Sequence, residues 1–193
     1  MRLKIACLVT AAVLPSLAHA QVPVFKITQD DSTINFSVKA SVALEGHFDK
    51  WSATLTFTSP DVTTGVLDVK IQADSVNTGS GMKDGKLKSK DFFDVKENPY
   101  ITFKSTKVVV TGPNAADVQG VFTIRGVSKP ESLKLTGERN ATNTGGTIDG
   151  IMAFDRKEYG MTSGIPFIKI ADRVEVTVHL IAHRTSGPPV VIK

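Results

Sequence analysis

Apolar and polar residues alternate with a period of two through most of this chain. Ile34, Phe36 and Val38 alternate with Thr33, Asn35, Ser37 and Lys39, and Ala53, Leu55 and Phe57 with Ser52, Thr54, Thr56 and Thr58. Leu67, Val69, Ile71 and Ala73 are separated by Asp68, Lys70 and Gln72. The phase returns at Val118, Phe122 and Ile124, at Leu133 and Leu135, and at Ile148, Met152 and Phe154. A last run sets Val174, Val176, Val178, Leu180 and Ala182 against Arg173, Glu175, Thr177, His179 and His183. Alternation of this kind predicts antiparallel strands with one face buried and the other wet.

Turn-forming clusters separate the runs, at Ser59-Pro60-Asp61, Gly112-Pro113-Asn114 and Asn143-Thr144-Gly145-Gly146. About eight strands, with no linker between them, predict an all-β meander or barrel, and closing the sheet would hide its edges. A barrel of that size either fills with side chains or holds one small ligand. The pattern leaves both open.

Residues 78 to 100 break the alternation. Met82, Leu87, Phe92 and Phe93 form a discontinuous apolar surface there, and Lys83, Asp84, Lys86, Lys88, Lys90 and Asp91 give it polar cover. The expected structure is a short helix or two turns around 80–95, laid across an open end of the barrel with its aromatics inward. Long connections of this type often carry function.

The first twenty residues read as a secretory leader: Arg2 and Lys4, an apolar run from Ile5 to Leu14, Pro15, and Ala18-His19-Ala20 before Gln21. The apolar run is about ten residues, short of the roughly 20 that a spanning helix needs. The expected division is a signal peptide at 1–20 and one barrel domain at 21–193, exported to the periplasm or secreted. Cys7 is the one cysteine and falls in the leader, so the mature domain is expected to have neither disulfide nor thiolate metal site. Losing Arg2 and Lys4 takes 23 basic residues to 21 against 19 acidic ones. Signs are interspersed, which gives no electrostatic footprint for nucleic acid.

Catalytic patterns are missing, and an enzyme is not expected. His179 and His183 lie on one strand, about 13 Å apart at 3.3 Å per residue, whereas zinc ligands sit about 2 Å from the ion. No metal or cofactor is therefore expected. The glycines at 79, 81 and 85 have the wrong spacing for a phosphate loop, and no serine has a nucleophile-elbow context. Asn140-Ala141-Thr142 matches a glycosylation sequon.

Several motifs in order resemble the YceI-like family. They are Gly46-His47-Phe48, the run Lys83 to Val95 followed by Asn98-Pro99-Tyr100-Ile101-Thr102-Phe103, the stretch Val118 to Pro130, and Phe154-Asp155-Arg156-Lys157-Glu158-Tyr159-Gly160-Met161. The resemblance spans about Phe25 to His183. It implies an extended eight-stranded, lipocalin-like antiparallel barrel whose cavity binds a polyisoprenoid, an isoprenoid quinone or a related lipid. It further implies a periplasmic carrier or storage protein with no cofactor beyond that lipid, often as a homodimer. Family members often have arginine before the helix aspartate and histidine after it. Lys83 and Gly85 stand there instead, which leaves Asp84 as the matched polar residue.

Candidate lipid contacts follow from the inward phase and these motifs. Phe36, Phe48, Phe57, Phe103, Phe122, Ile124 and Phe154 come from the strands. Leu87, Phe92 and Phe93 come from the insertion, and Met82, Met152 and Met161 are adaptable wall residues. For each, plain core packing is the competing assignment. Arg156 and Asp84 are the charged candidates, either near a mouth, with Arg156 meeting a headgroup, or in an ion pair fastening the insertion to the barrel. A fatty acid or fatty amide binder and a ligand-free interaction barrel are the competing functions.

Overall fold

A computed structural model describes residues 21–41, 44–164 and 169–192. The proposed leader and Cys7 lie outside them. Ten strands form in chain order: β1 (Val24–Ala40), β2 (Leu44–Phe48), β3 (Trp51–Thr56), β4 (Val66–Gln72), β5 (Val76–Asn77), β6 (Tyr100–Gly112), β7 (Ala115–Ile124), β8 (Val127–Arg139), β9 (Gly145–Asp155) and β10 (Ile170–Ser186). One helix, α1 (Gly81–Lys88), falls between β5 and β6.

Following the ladder β10-β9-β8-β7-β6-β4-β3-β1 and closing it through β1–β10 gives an eight-stranded antiparallel barrel. The expected all-β, lipocalin-like barrel with a helical insertion is what forms. The two further strands have a local cause. β1 pairs with β3 only over Val24–Lys26 and with β2 over Asn35–Val38, because β3 is interrupted from β2 at Asp49-Lys50. β5 then pairs with β2 through His47–Asn77 and Phe48–Val76. Where β1 slips against β10 between Thr28 and Thr33, the buried Ser32 hydroxyl accepts the Ile181 N–H at 2.8 Å, while the buried Thr28 hydroxyl is left without a partner.

The inward phase is the one the sequence shows. Ile34, Phe36, Val38, Leu67, Val69, Ile71, Val118, Phe122, Ile124, Leu133, Met152, Phe154, Val174, Val178 and Leu180 are buried in one cluster. Ala53, Leu55, Leu135, Ile148 and Val176 are half-buried, and of these Leu55, Leu135 and Ile148 face a hollow end of the barrel. Strands β7 and β8 are joined by Arg125-Gly126, both with positive φ (53° and 71°), the two-residue turn whose twist matches that of the strands. That turn places Arg125 at the helix-capped end.

Candidate functional site

The barrel interior contains two apolar cavities at opposite ends. The lower one holds about 210 Å³ and is walled by Phe25, Leu55, Phe57, Leu67, Val118 and Leu180, among others. Pro189, Val190 and Ile192 of the C-terminal tail lie across its mouth, and Arg139, Arg184, Asn143 and Glu138 stand at its edge. The upper cavity holds about 60 Å³ beneath the insertion and has no exposed polar surface in its lining.

Ten of the candidate contacts meet around that upper cavity. Phe36, Phe48, Phe122, Ile124, Phe154, Arg156 and Met161 rise from the barrel, and Leu87, Phe92 and Phe93 descend from the insertion. Ring contacts tie the two sides together: Phe36–Phe48 at 5.6 Å and Phe48–Phe93 at 6.0 Å between centroids. A second aromatic group joins Phe122, Phe154 and Tyr159 at 5.1–5.6 Å, in the tilted and edge-on arrangements that aromatic quadrupoles favour. Phe57 alone of the candidates lines the lower cavity.

Four candidates line neither cavity. Phe103 and Met152 are buried, but between the two chambers. Along β4, Ile71 faces the upper cavity and Leu67 the lower, with Val69 touching neither. Along β9 the order is Phe154, Met152, Ile148, and along β10 it is Val176, Val178, Leu180. Phe103 and Leu133 occupy the same level on β6 and β8, so a layer of side chains closes the barrel at its waist. Gly120 is part of that closure. A Cβ there would come within 2.6 Å of the Phe103 ring and of the Lys104 carbonyl, so only hydrogen leaves room for the ring.

Met82 is a correction: it is 86% exposed and contacts no cavity. It lies five residues before Leu87, which turns it about 140° around the helix from the face that Leu87 buries. Asp84 also lines neither cavity. Its Oδ1 accepts from the Thr78 N–H (2.8 Å) and hydroxyl (2.6 Å), tying α1 to the strand that precedes it. No ion pair of Asp84 with Arg156 is made.

Arg156, only 6% exposed, lines the upper cavity but spends its guanidinium on the protein. Nε donates to Ala171 O at 3.1 Å, Nη1 to the carbonyls of Ser163 (2.9 Å) and Met161, and Nη2 to Asp172 Oδ1 at 3.0 Å. Four of its five N–H donors are thus taken. It fastens the loop after β9 to β10, rather than the insertion to the barrel.

Two residues outside the candidate set hold this end together. Arg125 donates to Lys90 O (2.8 Å) and to Gly160 O, linking the insertion to the loop after β9. Tyr159 is fully buried and donates to Glu131 Oε1 at 2.9 Å, and burial, with that carboxylate beside it, pushes its phenol well above the ordinary range. Both lie inside the Val118–Pro130 and Phe154–Met161 motifs, so the signal was present. Neither is apolar and in phase, and a search for cavity walls passes over them.

Two ion pairs brace this end as well. Lys86 Nζ meets Asp91 Oδ2 at 2.6 Å, and its hydrogen bond holds the Asp91 carboxyl below the usual carboxylate range. Lys157, at 2.8 Å, does the same for Asp172, with Arg156 adding to it. A carboxylate held low in the folded protein stabilises it above the unfolded value of about 4, and that stabilisation fades as pH falls through the folded value. Asp91→Asn is therefore expected to be destabilising at pH 7, with the difference shrinking as pH falls through the folded value of Asp91. Urea unfolding across that range checks this, and a difference that stays constant with pH would contradict it.

Among the described residues, no group of His, Cys, Asp and Glu could hold a metal ion, and no helix is long and apolar enough to cross a membrane. His179 is instead paired with Asp149 at 2.6 Å on the neighbouring strand.

A closed antiparallel barrel with a greasy, divided bore and a helical cap defines a lipocalin-like architecture. Within that class, this chain belongs to the YceI-like family, whose domain model matches residues 25–182. A UPF0312 protein of Pseudomonas paraeruginosa is 36% identical over 99 residues, which are 50% of this chain and 51% of that protein. The match thus spans about half the length of that relative. A UPF0312 protein of Vibrio parahaemolyticus is 28% identical over 177 residues, 90% of this chain and 93% of that one. Among solved structures, Burkholderia cenocepacia BcnA superposes with a TM-score of 0.73 at 27% identity, over 81% of this chain and 99% of that one. A polyisoprenoid binding domain from Saccharophagus degradans, described as implicated in plant cell wall breakdown, shares the fold (TM-score 0.66, 16% identity, 84% and 99% coverage).

Proposed function

We propose that this protein binds one long, single-chain apolar lipid of the polyisoprenoid or isoprenoid-quinone class inside the barrel. It serves as an exported carrier or storage protein and not as an enzyme. The observation that carries this reading is the lower cavity, about 210 Å³ of apolar space opening at one end of the barrel. An engineered apolar cavity of about 150 Å³ stays dry and takes up benzene, so a larger one of the same lining suits a hydrocarbon better than water. The fold supports the same ligand class, since the Saccharophagus domain that shares it is a polyisoprenoid binding domain.

The energetics favour a tail over a headgroup. Each methylene moved from water into such a bore is worth about 0.8 kcal/mol. Several isoprene units exceed one polar contact, even after the cost of ordering the chain. Chain length then governs affinity. A tail too long for the lower chamber continues upward past Met152, whose three rotatable bonds let it swing aside more readily than a branched side chain would. The upper cavity and its ten candidate contacts then receive the far end.

Mass spectrometry of an organic extract from the purified mature protein tests this. A single-chain apolar lipid is expected to co-purify, and a fluorescent prenyl probe to bind the delipidated protein. Repeated extracts without lipid, together with no uptake of the probe, would overturn the reading.

A further inference from the structure

The two ends of the bore differ in what they offer a polar group. At the upper end the one cation among the described residues lining the cavity, Arg156, is occupied by three carbonyls and Asp172, and nearby Arg125 is held by two carbonyls and Lys86 by Asp91. At the lower end two arginines, Arg139 and Arg184, line the same apolar cavity, and among the described residues neither is paired with a carboxylate. Arg139 Nη2 donates to Val190 O at 2.9 Å. Arg184 donates to Gly187 O and, through Nη2, to Asn143 O at 2.9 Å. A guanidinium carries five N–H donors, so most of the ten remain uncommitted.

The register brings the two together. Arg139 pairs with Gly146 on β9, and Gly146 pairs with Ala182 on β10, two residues before Arg184. The arginines therefore flank the start of β9, where Gly145-Gly146 places no side chain between them. Glu138 is the one carboxylate among the residues lining this cavity, so the rim carries a net positive charge. Their present partners are neutral carbonyls, mostly of the tail segment 187–192 that lies across the mouth. A phosphate oxygen makes a shorter, charge-assisted hydrogen bond to a guanidinium than a neutral carbonyl does. Arg184 and that tail lie just beyond the segment, residues 25–182, that the family domain model matches.

We infer that Arg139 and Arg184 form the headgroup site of the bound lipid, recognising an anionic phosphate group at the lower mouth while its tail fills the cavity above. The headgroup takes the arginines from the tail carbonyls, and the C-terminal segment loosens as the lipid seats. This deepens the lipid-binding reading and rests on it.

Farnesyl monophosphate and farnesol share one tail and differ only in charge, so titrating both into the delipidated mature protein isolates the headgroup. The wild type is expected to bind the phosphate about tenfold or more tightly than the alcohol, with the gap narrowing as salt rises. The Arg139→Gln/Arg184→Gln double variant is expected to lose the preference, its affinity for the phosphate falling to that for the alcohol. Arg139→Lys/Arg184→Lys keeps part of it, because charge survives but the planar fork does not. The circular dichroism spectrum and melting temperature of each variant show that it is folded. Equal binding of both ligands by the wild type, or a preference that persists in the double glutamine variant, would overturn the headgroup site and leave the lipid reading standing. Failure of the wild type to bind either ligand would overturn both.

Discussion

Arg156→Met is expected to lower the unfolding free energy by about 3–5 kcal/mol, the range seen when one partner of a buried ionic cluster is removed. The methionine fills much of the volume but withdraws the guanidinium donors from the buried carbonyl of Met161 and the half-buried ones of Ser163 and Ala171. Asp172 keeps only Lys157. For a domain of this size, that loss corresponds to a melting temperature roughly 10 °C lower. Arg156→Lys is expected to fall between, since one ammonium cannot reach acceptors spread along residues 161–172 as a fork does. Chemical unfolding followed through Trp51, the one tryptophan of the chain, reads both. A loss below about 1 kcal/mol for Arg156→Met would mean that the loop after β9 is held by something else.

Met152→Ala is the second large effect, with opposite signs for stability and binding. Truncating a buried methionine costs about 2–5 kcal/mol, depending on how far the surroundings collapse into the space. At this position the space created lies at the waist and connects the two chambers. The ligand-free variant should be less stable, and the lipid-bound variant should recover much of the difference. Affinity should rise for chains longer than the lower chamber and stay unchanged for short ones. Denaturation with and without a series of prenyl alcohols separates these terms. If Met152→Ala destabilises the protein without favouring longer chains, the waist is a rigid floor and the upper cavity is closed to ligand.

The barrel was legible because a strand has one inside and one outside, and period two reveals which residues share a side. Ile34, Phe36, Val38 and Val174 through Ala182 behave as that rule dictates. Alternation is silent about depth, however. It places Phe103, Met152 and Phe154 on the same inner surface, yet only Phe154 faces a cavity. Whether a ring reaches into the bore depends on its neighbours, and Gly120, whose hydrogen leaves the Phe103 ring its room, sits diagonal to it on the adjacent strand. Met82 shows the complementary limit. A helix of eight residues with two glycines has too few apolar positions to fix its inward face, and Leu87 decided the matter once Phe92 and Phe93 were in place. The lower mouth went unread because its arginines and tail carry no periodic signal. They come together only when β8, β9 and β10 pair.

A crystal structure of the protein with a bound farnesyl-length or longer prenyl alcohol addresses the interior most directly. Continuous elongated density rising from Phe57 through the region of Met152 toward Phe93, with the barrel walls unchanged, is the predicted result. A chain lying only on the outer face, over a bore still filled by Phe103, Leu133, Met152 and Val178, would contradict it.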